Sequence, residues 1–197
     1  MIIEFIRENA DVFQKILRDI HYVSGYAYAG IAIATVYVAV YLLYVLICKL
    51  LKKERRLGTD HAIAMCMLLI YMTSLLYIVF MSRELGEYEY YGVNLQLWSS
   101  WGTTVTKRAF FIENILLFIP MGILMPSAFT KFRKIYICIP CCFLFSFFIE
   151  TIQYAFGPGI AELDDLITNT FGALIGLIVW YILYLIHLVY HRFLKRK

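Results

Sequence analysis

Glu150 and Gln153 lie three residues apart at the close of one apolar stretch, and Asp164, Asp165 and Asn169 open the next. On a helix that spacing puts the Glu150 carboxylate and the Gln153 amide on one face, and Asp165 and Asn169 one turn apart on another. Paired carboxylates can serve as acid and base toward a bound substrate, or as oxygen ligands for a hard divalent cation, while amides orient polar groups. Lys107 and Arg108 precede Glu113 and Asn114, so a guanidinium suited to an anionic group stands about 7 to 9 Å along a helix from a further carboxylate and amide. Charged groups inside a membrane cost roughly 2.5 to 3.5 kcal/mol each at a helix centre on insertion scales, and are kept for pairing, a ligand or a substrate path.

The elements that must position these residues are set by composition. The chain has 197 residues, of which 62% are hydrophobic and only 16% charged, and its mean hydropathy is +0.73. A soluble domain of this length needs a polar shell, whereas here the charges gather between apolar runs, so the composition is that of a polytopic membrane protein. Five runs, 26–48, 61–82, 109–129, 135–156 and 166–189, each approach the ~20 residues that cross ~30 Å of hydrocarbon as a helix. Backbone groups find no water in that layer, so each run must be helical. The expected fold is an all-α membrane bundle of five spans with an amphipathic interfacial helix at the amino end.

Charge placement orients that bundle. Lys49, Lys52, Lys53, Arg55 and Arg56 follow the first run, Lys131, Arg133 and Lys134 the third, and Arg192, Lys195, Arg196 and Lys197 the fifth. Glu84, Glu87 and Glu89 follow the second, and Glu162, Asp164 and Asp165 the fourth. The positive-inside rule makes the basic connections cytoplasmic, with the amino end outside and the carboxyl end inside. The net charge of +4 is then a topology signal and no sign of a nucleic-acid partner. In this orientation Arg108, Glu113, Asn114, Glu150, Gln153, Asp164, Asp165 and Asn169 converge from three helices in one layer of the outer leaflet.

Residues 1–24 form the amphipathic segment, with Ile2, Ile6, Phe13, Ile16, Leu17 and Ile20 at helical spacing, and 25–197 the membrane domain. Charges scattered through the first 20 residues are unlike the apolar core of a cleavable signal. Tyr88, Tyr90, Tyr91, Trp98 and Trp101 in the longest connection suit the headgroup layer, as an anchor or as a lid over the polar residues. Gly172 and Gly176 continue the stripe of Asp165 and Asn169 and permit close helix contact, while Pro120 and Gly122 can kink or loosen the third span. Cys138, Cys141 and Cys142 fall at the cytoplasmic end of a span and read as small hydrophobes. His187 and His191 lack a third ligand, and no Zn motif, Gly-rich phosphate loop or Ser-His-Asp arrangement names a cofactor.

Three blocks in order carry a resemblance. Asn114, Phe118, Pro120 and Gly122, then Glu150 and Gln153, then Asp164, Asp165, Asn169 and Gly172 resemble the pattern of the VanZ-like family of small bacterial membrane proteins. The resemblance covers about residues 108–176, with Asn94 and Leu95 similar to a further Asn-Leu of that pattern. The chain departs at Gln96, Leu97 and Trp98, where relatives have a Pro-Phe, and at Gly157 to Ile160, where relatives carry an Arg. The resemblance implies a bacterial cytoplasmic membrane location and an association with resistance to the glycopeptide teicoplanin, but supplies no reaction. Three roles stay open. The polar layer could bind or modify an amphiphile such as a lipoglycopeptide, a cell-wall lipid precursor or a phospholipid, with Glu150 and Asp165 as acid and base. It could be a carboxylate enzyme, with or without a divalent ion at Glu150, Asp164 and Asp165. It could instead join three helices by hydrogen bonds without a ligand.

Overall fold

In the computed structural model of the chain, residues 9–17, 27–81, 92–99, 101, 104–156 and 160–194 are described. The first helix, α1, covers 9–17 and is followed by α2 (Ala27–Leu50), α3 (Thr59–Met81), α4 (Val105–Ala128), α5 (Ile135–Phe156) and α6 (Leu163–Leu194). A 3₁₀ turn, Thr130–Arg133, links α4 to α5, and two short strands, β1 (Val93–Asn94) and β2 (Ala161–Glu162), lie in the connections before α4 and α6. Helices α2 to α6 are each long and apolar enough to cross a membrane. Large apolar side chains such as Val36, Leu43, Leu144, Phe148 and Ile182 stand exposed on them, the arrangement of a bundle whose outer solvent is hydrocarbon. The chain is a multi-pass membrane protein.

The bundle is organised on α4, a third of whose most apolar segment is buried, against 17% for α2 and α3. It packs on α6 so closely that backbones touch. A Cβ added at Gly172 would overlap the Ile115 carbonyl, one at Gly176 the Ile119 carbonyl, and one at Gly122 the Ala173 carbonyl. Association in lipid depends on such close packing and on polar contacts, because lipid tails match any apolar side chain. Ile115 opposite Gly172 and Ile119 opposite Gly176 also establish that α4 and α6 run parallel, in a fixed register. Beside this seam, Leu75 of α3, Phe118 and Met121 of α4, Cys138, Cys142 and Ile149 of α5, and Ala173 and Leu177 of α6 form the main core. Among the described residues helix α2 leans chiefly on α3, through Gly30, where an added Cβ would meet Ile70 Cα at 2.8 Å.

Local sequence explains where the elements start and stop. Helix α4 begins at Val105, four residues before the apolar run, because the Thr104 hydroxyl accepts the Lys107 N–H at 3.2 Å as an N-cap. Helix α6 begins at Leu163, which brings Asp164 and Asp165 into its first turn, where negative charge is favoured by the helix dipole. Pro120 and Pro126 interrupt α4, and polar side chains take nearby carbonyls: Tyr71 Oη donates to Leu117 O at 2.8 Å and Arg133 Nε to Pro126 O at 3.3 Å. Arg133 also lies over the rings of Trp180 and Tyr184, which tethers the α4–α5 turn to α6. In α1, Val12 and Ile16 are buried against Ala109 of α4, whereas Phe13 and Leu17 are exposed; Ile2, Ile6 and Ile20 lie outside the described residues.

Replacing Gly by Ala inside a helix ordinarily stabilises it by about 1 kcal/mol, so Gly176→Ala separates propensity from packing. The clash with Ile119 should dominate, and the substitution should destabilise the bundle by about 3 kcal/mol. Gly58→Ala, where an added Cβ meets nothing within 4 Å, should change stability by less than about 1 kcal/mol. Melting curves of the detergent-extracted proteins, read by monodisperse elution after heating, would show it.

Candidate functional site

At the bundle end that carries the acidic connections, β1 and β2 pair in parallel, with Val93 beside Ala161 and Asn94 beside Glu162. The pairing draws the connection before α4 over the start of α6. After β1 the chain turns sharply: Asn94 Oδ1 accepts the Gln96 N–H at 3.1 Å and Asn94 Nδ2 donates to Ser99 Oγ at 2.7 Å. Trp98 sits in the left-handed region at φ 64°, a costly conformation for a bulky residue. Asp164 offsets that cost, because its Oδ1 accepts the Trp98 N–H at 2.7 Å and its Oδ2 accepts from the Ser99 hydroxyl at 3.4 Å. The Trp98 and Trp101 rings then rest on Phe111 of α4, at centroid distances of 5.9 and 5.0 Å. The result is a strap tied to α6 by one buried carboxylate, with Val93, Leu95, Leu97 and Trp98 exposed on it.

Behind the strap lies the seam between α5 and α6. Ser146, Glu150 and Gln153 succeed one another on one face of α5, and all three are buried. Glu150 Oε2 accepts the Glu162 N–H at 3.2 Å, which anchors β2 on α5. Asn169 Nδ2 donates to Ser146 Oγ at 2.9 Å, and Gln153 Nε2 reaches across to the Val79 carbonyl of α3 at 3.3 Å. The other end of each amide, Gln153 Oε1 and Asn169 Oδ1, is buried without a hydrogen-bond partner among the described residues. Such an acceptor costs about 1 to 3 kcal/mol when nothing meets it.

The structure thus brings Glu150, Gln153, Asp164 and Asn169 to the α5–α6 seam and its strap, each less than 10% exposed. Asp165 is half-buried in the first turn of α6, and the register of Ile115 with Gly172 and Ile119 with Gly176 sets Arg108 level with it on the parallel α4. Glu113 and Asn114 are half-buried farther along α4, Asn114 one turn before the core residue Phe118. Glu150 and Asp164 turn to different partners, the Glu162 and Trp98 N–H groups. Among the described residues no three or more His, Cys, Asp or Glu side chains are grouped to hold a metal.

Several participants are absent from the sequence reading. Ser146 carried a signal, a hydroxyl one turn before Glu150 on its face. The Trp98 and Glu162 N–H groups and the Val79 carbonyl carried none, because backbone groups are the same at every residue. Away from the site, Cys138 and Cys142 are buried in the main core as free thiols. His187 and His191 lie edge to face at 4.4 Å on an exposed stretch of α6.

Comparison with known proteins adds a family. The family described as VanZ/LLP1 matches residues 35–185, a range that takes in every residue of the strap and the seam. A protein named VanZ from Enterococcus faecium is 28% identical over 116 residues, which cover 56% of this chain and 69% of that protein. No solved structure matches the chain.

The strap's dependence on Asp164 generates a prediction. Asp164→Ala leaves the Trp98 N–H without its acceptor and should lower stability by about 1 to 3 kcal/mol. Cleavage by added protease should become faster between residues 92 and 101, while Asp164→Asn, which keeps the acceptor oxygen, should resemble the wild type. Equal cleavage of Asp164→Ala and wild type would show that the strap is held by other contacts.

Proposed function

The chain belongs to the VanZ/LLP1 family, and from that premise we propose that its acidic end faces outward and forms a polar site for an amphiphilic envelope ligand, in a role linked to glycopeptide resistance. The carrying observation is the burial of Glu150, Gln153 and Asn169 between apolar helices, with amide oxygens left without a partner among the described residues. Polar groups are expensive in such a place unless something meets them. A lipid-anchored molecule, a lipoglycopeptide or a cell-wall lipid precursor, approaches such a site from the plane of the membrane. Its polar part meets the strap and the helix ends while its chain stays in hydrocarbon.

In this reading Arg108 and Asp165, level on adjoining helices, engage charged groups of the ligand. Glu150 supplies the buried carboxylate, as an acceptor in binding or, with Asp165, as the acid and base if the ligand is modified. Gln153, Asn114 and Asn169 orient its polar groups. Asp164 bonds the strap and Asn169 bonds Ser146, and these contacts favour a structural share for both residues. The orientation rests on charge: the connections after α2, α4 and α6 are basic and those leading into β1 and α6 are acidic, so the positive-inside rule puts the carboxyl end in the cytoplasm.

Two measurements test this reading. A susceptible Gram-positive host that expresses the wild type should tolerate more teicoplanin than the empty-vector host, and Glu150→Gln should return it to that baseline at equal membrane abundance. Protection that survives the substitution would remove Glu150 from the function. For orientation, green fluorescent protein fused after Lys197 should fluoresce, and alkaline phosphatase fused there should be inactive. An active phosphatase at that position would invert the bundle and move the polar site to the cytoplasmic face.

A further inference from the structure

Resting on the site proposed above, we infer that the α5–α6 seam selects a ligand group that donates hydrogen bonds, a primary ammonium, over groups that only accept. Gln153 is 1% exposed. Its Nε2 donates to the Val79 carbonyl at 3.3 Å. A carbonyl can only accept, so the amide is held one way round and Oε1 is the end left buried without a partner among the described residues. Asn169 lies deeper along the seam. Its Nδ2 is on Ser146 Oγ at 2.9 Å, and its Oδ1 is buried and unmet.

Gln153 therefore turns its donor into the protein and leaves an acceptor for an occupant, while Asn169, whose partner Ser146 is a hydroxyl that can donate or accept, adds a second polar end. Glu150 stands on α5 between the levels of Ser146 and Gln153, and its carboxylate adds negative charge to the same face. A lining of this kind repels phosphate and carboxylate oxygens and favours a cation that carries N–H groups. A primary ammonium brings three donors, whereas a trimethylammonium of equal charge brings none. Gln153 lies in the last turn of α5, and in the orientation proposed above that end stands at the headgroup level, the depth of an aminophospholipid's amine. Water also donates and is the competitor that a ligand must displace.

The test uses the full chain in mild detergent with lipids of identical acyl chains: phosphatidylethanolamine, its N-methyl and N,N-dimethyl forms, and phosphatidylcholine. Retention on the protein, read by native mass spectrometry, should fall stepwise as N–H groups are lost, by about tenfold from first to last. In Gln153→Leu, which keeps the side chain's bulk and removes the acceptor, the gradient should become clearly shallower. Competition by soluble phosphoethanolamine would identify the free amine as sufficient, and no competition would identify the lipid-borne one; donor selection stands either way. Equal retention across the series in the wild type, or the same gradient in Gln153→Leu, would overturn it. If the variant does not fold, the wild-type series decides alone. Loss of teicoplanin protection in Glu150→Gln together with a flat lipid series would retain the site and refute donor selection, whereas failure of both would remove the site as well.

Discussion

The architecture hangs on one contact, the backbone-to-backbone approach of α4 and α6 at Gly122, Gly172 and Gly176. In water two helices can be driven together by burying leucines; in hydrocarbon they cannot, because leucine is equally at home in lipid. Removing side chains from the interface lets many weak dispersion contacts form at once. The three glycines also set register, since each seats under a particular carbonyl of the facing helix. That register decides which residues of α4 and α6 share a level, Arg108 with Asp165 among them.

From this seam the rest follows in order of strength. The core of Leu75, Phe118, Met121, Cys142, Ile149 and Leu177 fills the space beside α4 and α6 and holds α3 and α5 against them. Helix α2 has little contact beyond α3 and offers most of its surface to lipid. At one end the 3₁₀ turn and Arg133 tie α4, α5 and α6 together through a carbonyl and two aromatic rings. At the other end, acidic side chains hold backbone. Asp164 takes the N–H of Trp98 and Glu150 takes the N–H of Glu162, so two carboxylates carry the strap and β2 between them. A carboxylate that accepts from a backbone N–H makes a stronger bond than a neutral acceptor would.

Much of this was legible residue by residue. Five apolar runs dictated five helices, since no other backbone form is satisfied in hydrocarbon. Gly172 and Gly176 marked a close-packed face, whereas Gly122 read as a point where α4 could kink and proved to be part of the same seam; Glu150, Gln153 and Asn169 stood out because polar side chains are rare there. The partners of those side chains were not legible. Asp164 reads as one more acid in an acidic connection, and only the fold shows its two oxygens fastened to a turn 66 residues earlier in the chain. The start of α4 was missed by four residues because the polar first turn, capped by Thr104, does not register in hydropathy.

The sequence by itself determined the solvent, the number of spans, their helical form and the polar residues that lie within them, because transfer into hydrocarbon is a property of each residue and sums along a segment. Tertiary structure alone decided which polar atoms meet. The parallel pairing of β1 with β2, the bond of Asn169 to Ser146, the reach of Gln153 to Val79 and the two amide oxygens left open all depend on helices fixed in rotation and height by the glycine seam. A hydrogen bond needs its atoms within a few tenths of an ångström of about 2.9 Å, and no local pattern along the chain carries that precision.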